Sequence, residues 1–127
     1  MGRLGLGHEW TCTVPNLVED LPEDDPVVSI AAGGFHSSAV TASGKMYSWG
    51  GGMNGECGHG TVRNFPRPRL VEKFEEEGAH VVKASLGGYC SAAITRELHP
   101  VLLLLWILTV CRSCLACSSD AVSDPFV

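Results

Sequence analysis

The chain has 127 residues and a formal net charge of -5, with 45% hydrophobic and 18% charged residues. This composition excludes a disordered chain, which has more charge and less aliphatic content, and the negative charge argues against electrostatic binding to nucleic acid or an anionic membrane. All 15 glycines lie between Gly2 and Gly88. The sequence therefore divides into a glycine-rich part and a different C-terminal tail.

Short runs of β-branched and aromatic residues, separated by Gly, Pro and Asp, predict β-strands. In chain order the predicted strands cover residues 16–19, 27–32, 37–41, 45–49, 69–74, 81–86 and 91–95. A tight turn is predicted at residues 42–44, where Gly44 supplies the positive φ angle that such a hairpin needs. The glycine pairs at 33–34 and 87–88 are expected to supply positive φ angles in the same way, in the turns before the strands at 37–41 and 91–95.

The glycine-rich part contains an internal repeat. At an offset of 53, residues 2–7 match 55–60 and residues 15–19 match 68–72, and after one inserted residue 27–41 match 81–95. A repeat of this length with about four strands is typical of one β-propeller blade. Because a single blade cannot bury both of its faces, neighbouring blades are required.

Fixed positions along the first copy follow a Leu-Gly-x-Gly motif, a Val-x-x-Ile-x-x-Gly-x-x-His-x-x-Ala series and a closing Tyr-x-Trp-Gly strand. They are Leu4, Gly5, Gly7, Pro15, Val18, Val27, Ile30, Gly33, His36, Ala39, Gly44, Tyr47, Trp49 and Gly50. Over roughly residues 2–95 this pattern resembles the regulator of chromosome condensation repeat family, which forms seven-bladed propellers. The resemblance implies an all-β fold, a partial β-propeller of about two four-stranded antiparallel blades with an apolar C-terminal helix or irregular tail.

The repeat boundaries predict three parts. Residues 1–54 form the first propeller repeat, residues 55–95 a second, incomplete repeat, and residues 96–127 a Leu- and Cys-rich tail outside the pattern. Cys90 stands where the second copy should have His, and the closing Tyr-x-Trp-Gly strand is missing after Thr95. We therefore expect a fragment of a longer propeller protein.

The tail offers a different class of function. Cys111, Cys114 and Cys117 have two C-x-x-C spacings, which would suit zinc or an iron-sulfur cluster if His99 or another chain supplied a fourth ligand. The apolar run at residues 101–111 is too short to cross a bilayer as a helix. We expect this run to cover the open edge of the last blade as a buried helix or strand, and its leucine content favours the helix. A metal-binding or membrane-associated tail, or a truncated product without autonomous function, is the alternative reading.

No catalytic, cofactor-binding or metal-binding residues are predicted, and no cofactor is expected. Residues 50–55 match the G-x-G-x-x-G of dinucleotide sites, but no helix pattern follows, which predicts an inter-blade turn. His36 is expected to hydrogen-bond the backbone inside a blade, and Trp49 to be a core residue. The N-terminus has no apolar signal sequence, which predicts reduced thiols in the cytoplasm or nucleus.

These observations favour a non-enzymatic protein-interaction module. The resemblance implies guanine-nucleotide exchange on small GTPases, chromatin association or adaptor roles in ubiquitin ligases, so the expected partner is a small GTPase or a ubiquitin-pathway component. Neither direct nucleic-acid binding nor membrane binding is expected. No autonomous exchange activity is expected either, because exchange depends in the family on a complete propeller face. Self-association through the open blade edges would relieve the marginal stability of two blades.

Overall fold

The computed structural model describes residues 1–98 and the backbone of residues 103–109. In this part of the chain the elements are strands β1 (Val27–Ala32), β2 (His36–Thr41), β3 (Met46–Gly50) and β4 (Phe65–Leu70), helix α1 (Glu72–Glu76), and strands β5 (His80–Leu86), β6 (Ser91–Leu98) and β7 (Leu103–Thr109).

The strands form two antiparallel sheets, each with sequence neighbours side by side. The first sheet has the order β1-β2-β3-β4 and the second the order β5-β6-β7. This up-and-down order is that of propeller blades. The all-β class and the partial propeller of antiparallel blades are confirmed.

The two repeats fold alike down to local irregularities. In β1 a register shift between Val27 and Ser29 interrupts the pairing with β2, and in β5 a shift between Val81 and Lys83 interrupts the pairing with β6 at the equivalent place. Such a β-bulge inserts one residue and changes which side chains share a face. The register is otherwise equivalent, since Ile30 pairs with Ala39 as Ala84 does with Ala93.

The turn predicted at residues 42–44 is confirmed. Gly44 has a φ angle of 88°, and its N–H donates to the carbonyl oxygen of Thr41 at 3.0 Å. The Asp25 carboxylate accepts hydrogen bonds from the backbone N–H and the hydroxyl of Ser43, which ties this turn to the segment before β1.

Two strand predictions were wrong. Residues 16–19 form no strand, because Leu17 is exposed and the place on the outer edge beside β3 is taken by β4. Pro66 and Pro68 have no backbone N–H to donate to a neighbouring strand. They are tolerated in β4 because this strand lies at the edge of the sheet. Only the first residues of the predicted 69–74 strand lie in β4; the chain then turns into α1, which buries Phe74.

The helix expected in the tail was also wrong for the described segment. Leu103–Thr109 is a strand, β7, that pairs antiparallel with β6. The physical reason is the edge of β6, whose backbone N–H and C=O groups need partners that a helix cannot supply. The residues of the alternative metal-binding tail, His99, Cys111, Cys114 and Cys117, lie outside the described residues.

The main hydrophobic core lies where the two sheets meet. Its buried residues come from both sheets and from the connection between them: Val40, Met46, Val71, Phe74, Val81, Ala84 and Ala93. A second cluster, formed by the first sheet and the connection from β3 to β4, contains Ala39, Trp49, Cys57 and Phe65. As predicted, Trp49 is a core residue, and its indole N–H donates to the carbonyl oxygen of Arg3 at 2.9 Å.

Candidate functional site

The loops that join β1 to β2 and β5 to β6 meet at one end of the two sheets. The N–H of Gly33 donates to the carbonyl oxygen of His36 at 2.8 Å, and Gly87 bonds Cys90 in the same way at 2.8 Å. A further bond connects the loops, from the N–H of Gly34 to the carbonyl oxygen of Gly87 at 3.0 Å. Equivalent positions of the two repeats are therefore brought into contact here.

The glycine pairs in these loops have no positive φ angle, which corrects our prediction, and in the first pair the reason for glycine is the lack of space. None of the glycines at 33–34 and 87–88 is among those with positive φ. Instead, a Cβ atom on Gly33 would overlap the carbonyl oxygen of Gly87 and would approach the His36 ring to 3.0 Å. The missing side chain allows the second loop to lie directly against the first.

Next to these loops a chain of hydrogen bonds joins the two sheets. His36 Nε2 lies 2.6 Å from the hydroxyl oxygen of Ser91, and that hydroxyl donates to the carbonyl oxygen of Glu56 at 2.6 Å. All three residues are buried. We call this contact of His36, Glu56 and Ser91 the seam. The expected backbone partner of His36 was wrong, since the ring bonds a side chain of the other repeat.

The seam fixes the protonation of His36. The single hydroxyl proton of Ser91 is donated to Glu56, so the hydroxyl oxygen accepts from Nε2–H, and Nδ1 carries the lone pair. Nδ1 is buried and has no hydrogen-bond partner in the structure. Burial lowers the pKa of His36, and the Glu56 carboxylate offsets part of this effect. The ring is therefore neutral.

The thiol beside the seam is also held in its neutral form. Burial, together with the nearby Glu56 carboxylate, raises the pKa of Cys57 to about 12. Its Sγ donates to the carbonyl oxygen of Gly51 at 3.2 Å. Nucleophilic chemistry needs a thiolate, so Cys57 is a structural residue.

A stacked aromatic pair lies on the outside of the two glycine loops, with Phe35 half-buried and Tyr89 exposed. The rings of Phe35 and Tyr89 stack with centroids 5.0 Å apart, and the Arg3 guanidinium carbon lies 5.9 Å from the Phe35 centroid. Arg3 Nη1 also donates to the carbonyl oxygen of Gly34 at 3.1 Å, which fixes the arginine over the ring. We call Arg3, Phe35 and Tyr89 the aromatic patch.

The sequence interpretation missed the aromatic patch, although a signal was present. Phe35 and Tyr89 occupy the same position of the two repeats, directly after the glycine pair. Two aromatic residues at one repeat position, on loops that a propeller places side by side, predict a stack. Ser91 was missed as well, because its role depends on a partner in the other repeat.

The remaining candidates have local structural roles. Residues 50–55 continue from β3 into turns and open no helix, as predicted. In the only basic cluster of the sequence, Arg67 and Arg69 form ion pairs with Asp20 and Glu72, at 2.6 and 3.4 Å. Among the described residues, no group of three or more His, Cys, Asp or Glu is arranged to hold a metal ion. None of the helical structure described there has the length and apolar character of a membrane span.

Known proteins contain the same sequence repeat. The model of the regulator of chromosome condensation (RCC1) repeat matches residues 1–40 and 43–94. The E3 ubiquitin-protein ligase HERC2 of Homo sapiens is 41% identical over 86 residues, which cover 68% of this chain and 2% of HERC2. The regulator of chromosome condensation of Drosophila melanogaster is 40% identical over 88 residues, which cover 68% of this chain and 16% of that protein.

A solved structure shows the same fold. The crystal structure of Prp20p from Saccharomyces cerevisiae, described together with its binding to Gsp1p and histones, aligns with a TM-score of 0.56 and 27% identity. The alignment covers 64% of this chain and 18% of Prp20p, so the chain spans a small part of the proteins that it matches. Because the family model matches most of the chain and the two sheets repeat one pattern, the chain belongs to the regulator of chromosome condensation (RCC1) repeat family.

Proposed function

We propose that the chain is a non-enzymatic protein-interaction module that binds its partner through the aromatic patch. The observation that carries this proposal is the stack of Phe35 and Tyr89 with Arg3 held across it. Tyr89 is 54% exposed although its ring is stacked, so it offers a rigid surface to another molecule. Tyr, Trp and Arg dominate the energetics of protein interfaces because they bury much area at small entropic cost.

The place of the patch in the fold supports the same conclusion. It lies on loops, while strands and the buried seam fix those loops from below. Binding residues are commonly carried by loops that a rigid scaffold positions. No bond-making chemistry is part of the proposal, because the neutral imidazole and thiol near the patch are buried and committed to structural hydrogen bonds.

The relatives suggest the partner's class. Prp20p is described with Gsp1p and histones as its binding partners, and HERC2 is named as a ubiquitin ligase. We propose a small GTPase of the Gsp1p type as the first partner to examine, with a ubiquitin-pathway protein second. Binding without stimulated nucleotide release is the expected activity, because the chain presents two sheets of a propeller face.

The test is calorimetric titration of the full chain with purified Gsp1p, and separately with core histones. Tyr89→Ala should weaken binding by about tenfold or more, the usual effect of truncating an interface aromatic. The control is Leu17→Ala, which removes a side chain that is even more exposed, at 83%, from the segment before β1. The proposal is contradicted if the chain binds neither Gsp1p nor histones, or if the Tyr89→Ala chain and the unmodified chain bind with equal affinity.

A further inference from the structure

One face of the first sheet has the composition of an interface but is left open by the part of the chain that the structure describes. Because the repeats share one register, Val27 and Ile30 of β1 correspond to Val81 and Ala84 of β5. Val81 and Ala84 are 1% and 5% exposed, since they pack in the core between the sheets. Val27 and Ile30 are 39% and 79% exposed. The first sheet thus repeats the docking positions of the second without a sheet packed on them.

The polar part of the interface is repeated too. The hydroxyl of Ser37 donates to the carbonyl oxygen of Arg3 at 2.9 Å, as the equivalent Ser91 does to the equivalent Glu56 at 2.6 Å. In the second repeat this hydroxyl also meets the His36 ring from the neighbouring sheet. The Ser37 hydroxyl meets no such ring in the described structure. We call Val27, Ile30 and Ser37 the open face.

The second repeat presents the complementary half of the same interface. Ile94 and Cys90 correspond to Val40 and His36, the residues with which the first sheet meets the second. Ile94 and Cys90 are half-buried, whereas Val40 and His36 are fully buried. A Cβ atom on Gly88 would meet nothing within 4 Å, while one on its equivalent Gly34 would lie 3.2 Å from Gly88 Cα. The loop of the second repeat is therefore open where that of the first is filled.

We propose that a second copy of this chain docks head to tail on the open face, with its second sheet placed as the first sheet is placed on the second within one chain. The first sheet carries the counterparts of Val81, Ala84 and Ser91, and the second sheet carries those of Val40 and His36. The seam shows how these two sides fit together. Such a contact uses two different surfaces, so it is heterologous and allows further copies to add. It differs from pairing of strand edges, because it buries sheet faces and leaves the backbone ladders unchanged.

Sedimentation velocity of the full chain over a range of concentrations tests the proposal. Ile30→Lys should weaken self-association by about tenfold or more, because it places a charge in the centre of the buried contact. The matched control is Val62→Lys in the loop before β4, where the side chain is 67% exposed, and it should associate like the unmodified chain. Both positions are exposed in the single chain, so circular dichroism should show both variants folded.

A second variant tests the direction of docking. Cys90→His restores the imidazole that the seam has at His36, so it should strengthen association by bonding Ser37 of the next copy. Adding Ser37→Ala should remove the gain. The proposal is overturned if the unmodified chain stays monomeric at every concentration, which would leave a blade of another protein as the occupant. It is equally overturned if Ile30→Lys and Val62→Lys associate alike, which would assign association to strand edges or the tail.

Discussion

His36 shows how one buried side chain sets the chemistry of the contact between repeats. Its Nε2–H is bound by Ser91, and its Nδ1 lies against Gly33, where a proton would find no acceptor. Protonation would therefore bury a charge and an unsatisfied N–H together, and both are costly. The seam is stable only with a neutral ring.

This gives a pH dependence with a defined sign. Since burial lowers the pKa of folded His36 below its ordinary value of about 6.5, the unfolded chain binds the proton first as the pH falls. The stability contributed by the neutral ring is fully present above about pH 6.5 and is lost as the pH falls from there through the folded pKa. Urea unfolding at pH 7.5 and at pH 5.5 should therefore show lower stability at the lower pH.

His36→Gln should reduce this pH dependence. A remainder is expected from His59, whose pKa burial also lowers, and His36→Gln with His59→Gln should remove most of it. The charged group facing His36 is Glu56, which partly offsets the effect of burial on the pKa of the ring. An unchanged slope in the His36→Gln chain would show that the ring takes up its proton without cost to the seam.

Gly33 and Gly87 form a matched pair for testing the contact between loops. Gly33→Ala should destabilise the fold by about 1–3 kcal/mol, because the added Cβ overlaps the Gly87 carbonyl oxygen and must displace the second loop. Gly87→Ala adds the same atom at the equivalent position, where its nearest neighbour is the Cys90 carbonyl oxygen at 3.7 Å. It should be neutral in thermal unfolding, and equal losses from both substitutions would exclude the loop contact as the cause.

At the level of elements, alternation and turn residues predicted the strands that the repeat shares. The structure has β1 at the predicted residues, begins β2 and β5 one residue earlier, shifts β3 by one residue and extends β6 to Leu98. These strands were predictable because each has apolar or β-branched residues and lies next to its partner in sequence. The outer elements were not. The proline-containing strand β4 forms because the edge of β3 needs a hydrogen-bonding partner. The helix α1 forms where the core between the sheets takes up Phe74.

The helix α1 provides the test at this level. Phe74 is 2% exposed and packs in the core between the two sheets. Phe74→Ala should lower the free energy of unfolding by about 3–5 kcal/mol, as usual for a large side chain removed from a core. Lys73→Ala, at the exposed neighbouring position, should leave the free energy of unfolding nearly unchanged, because the ion pair of Lys73 with Glu77 lies at the surface. Denaturant unfolding measures both, and similar values would show that α1 contributes nothing specific.

At the level of the whole molecule, the repeat predicted that two blades would meet but not how. Equivalent residues were visible in the sequence, so Phe35 with Tyr89 and Gly33 with Gly87 could have been paired in advance. The seam could not, because His36, Ser91 and Glu56 occupy different positions of the repeat and meet only when one sheet packs on the next. Likewise, β7 pairs with β6 because an edge is open, which a leucine count does not reveal.

Cys57 gives the molecule an internal reporter of its own opening. With its pKa near 12 and 3% of its surface exposed, the thiol stays unreactive while the second cluster, with Ala39, Trp49 and Phe65, is packed around it. Glu56, beside it in the chain, accepts the hydrogen bond from Ser91, which connects this cluster to the seam. Modification of Cys57 by a thiol reagent therefore reports how often the cluster opens.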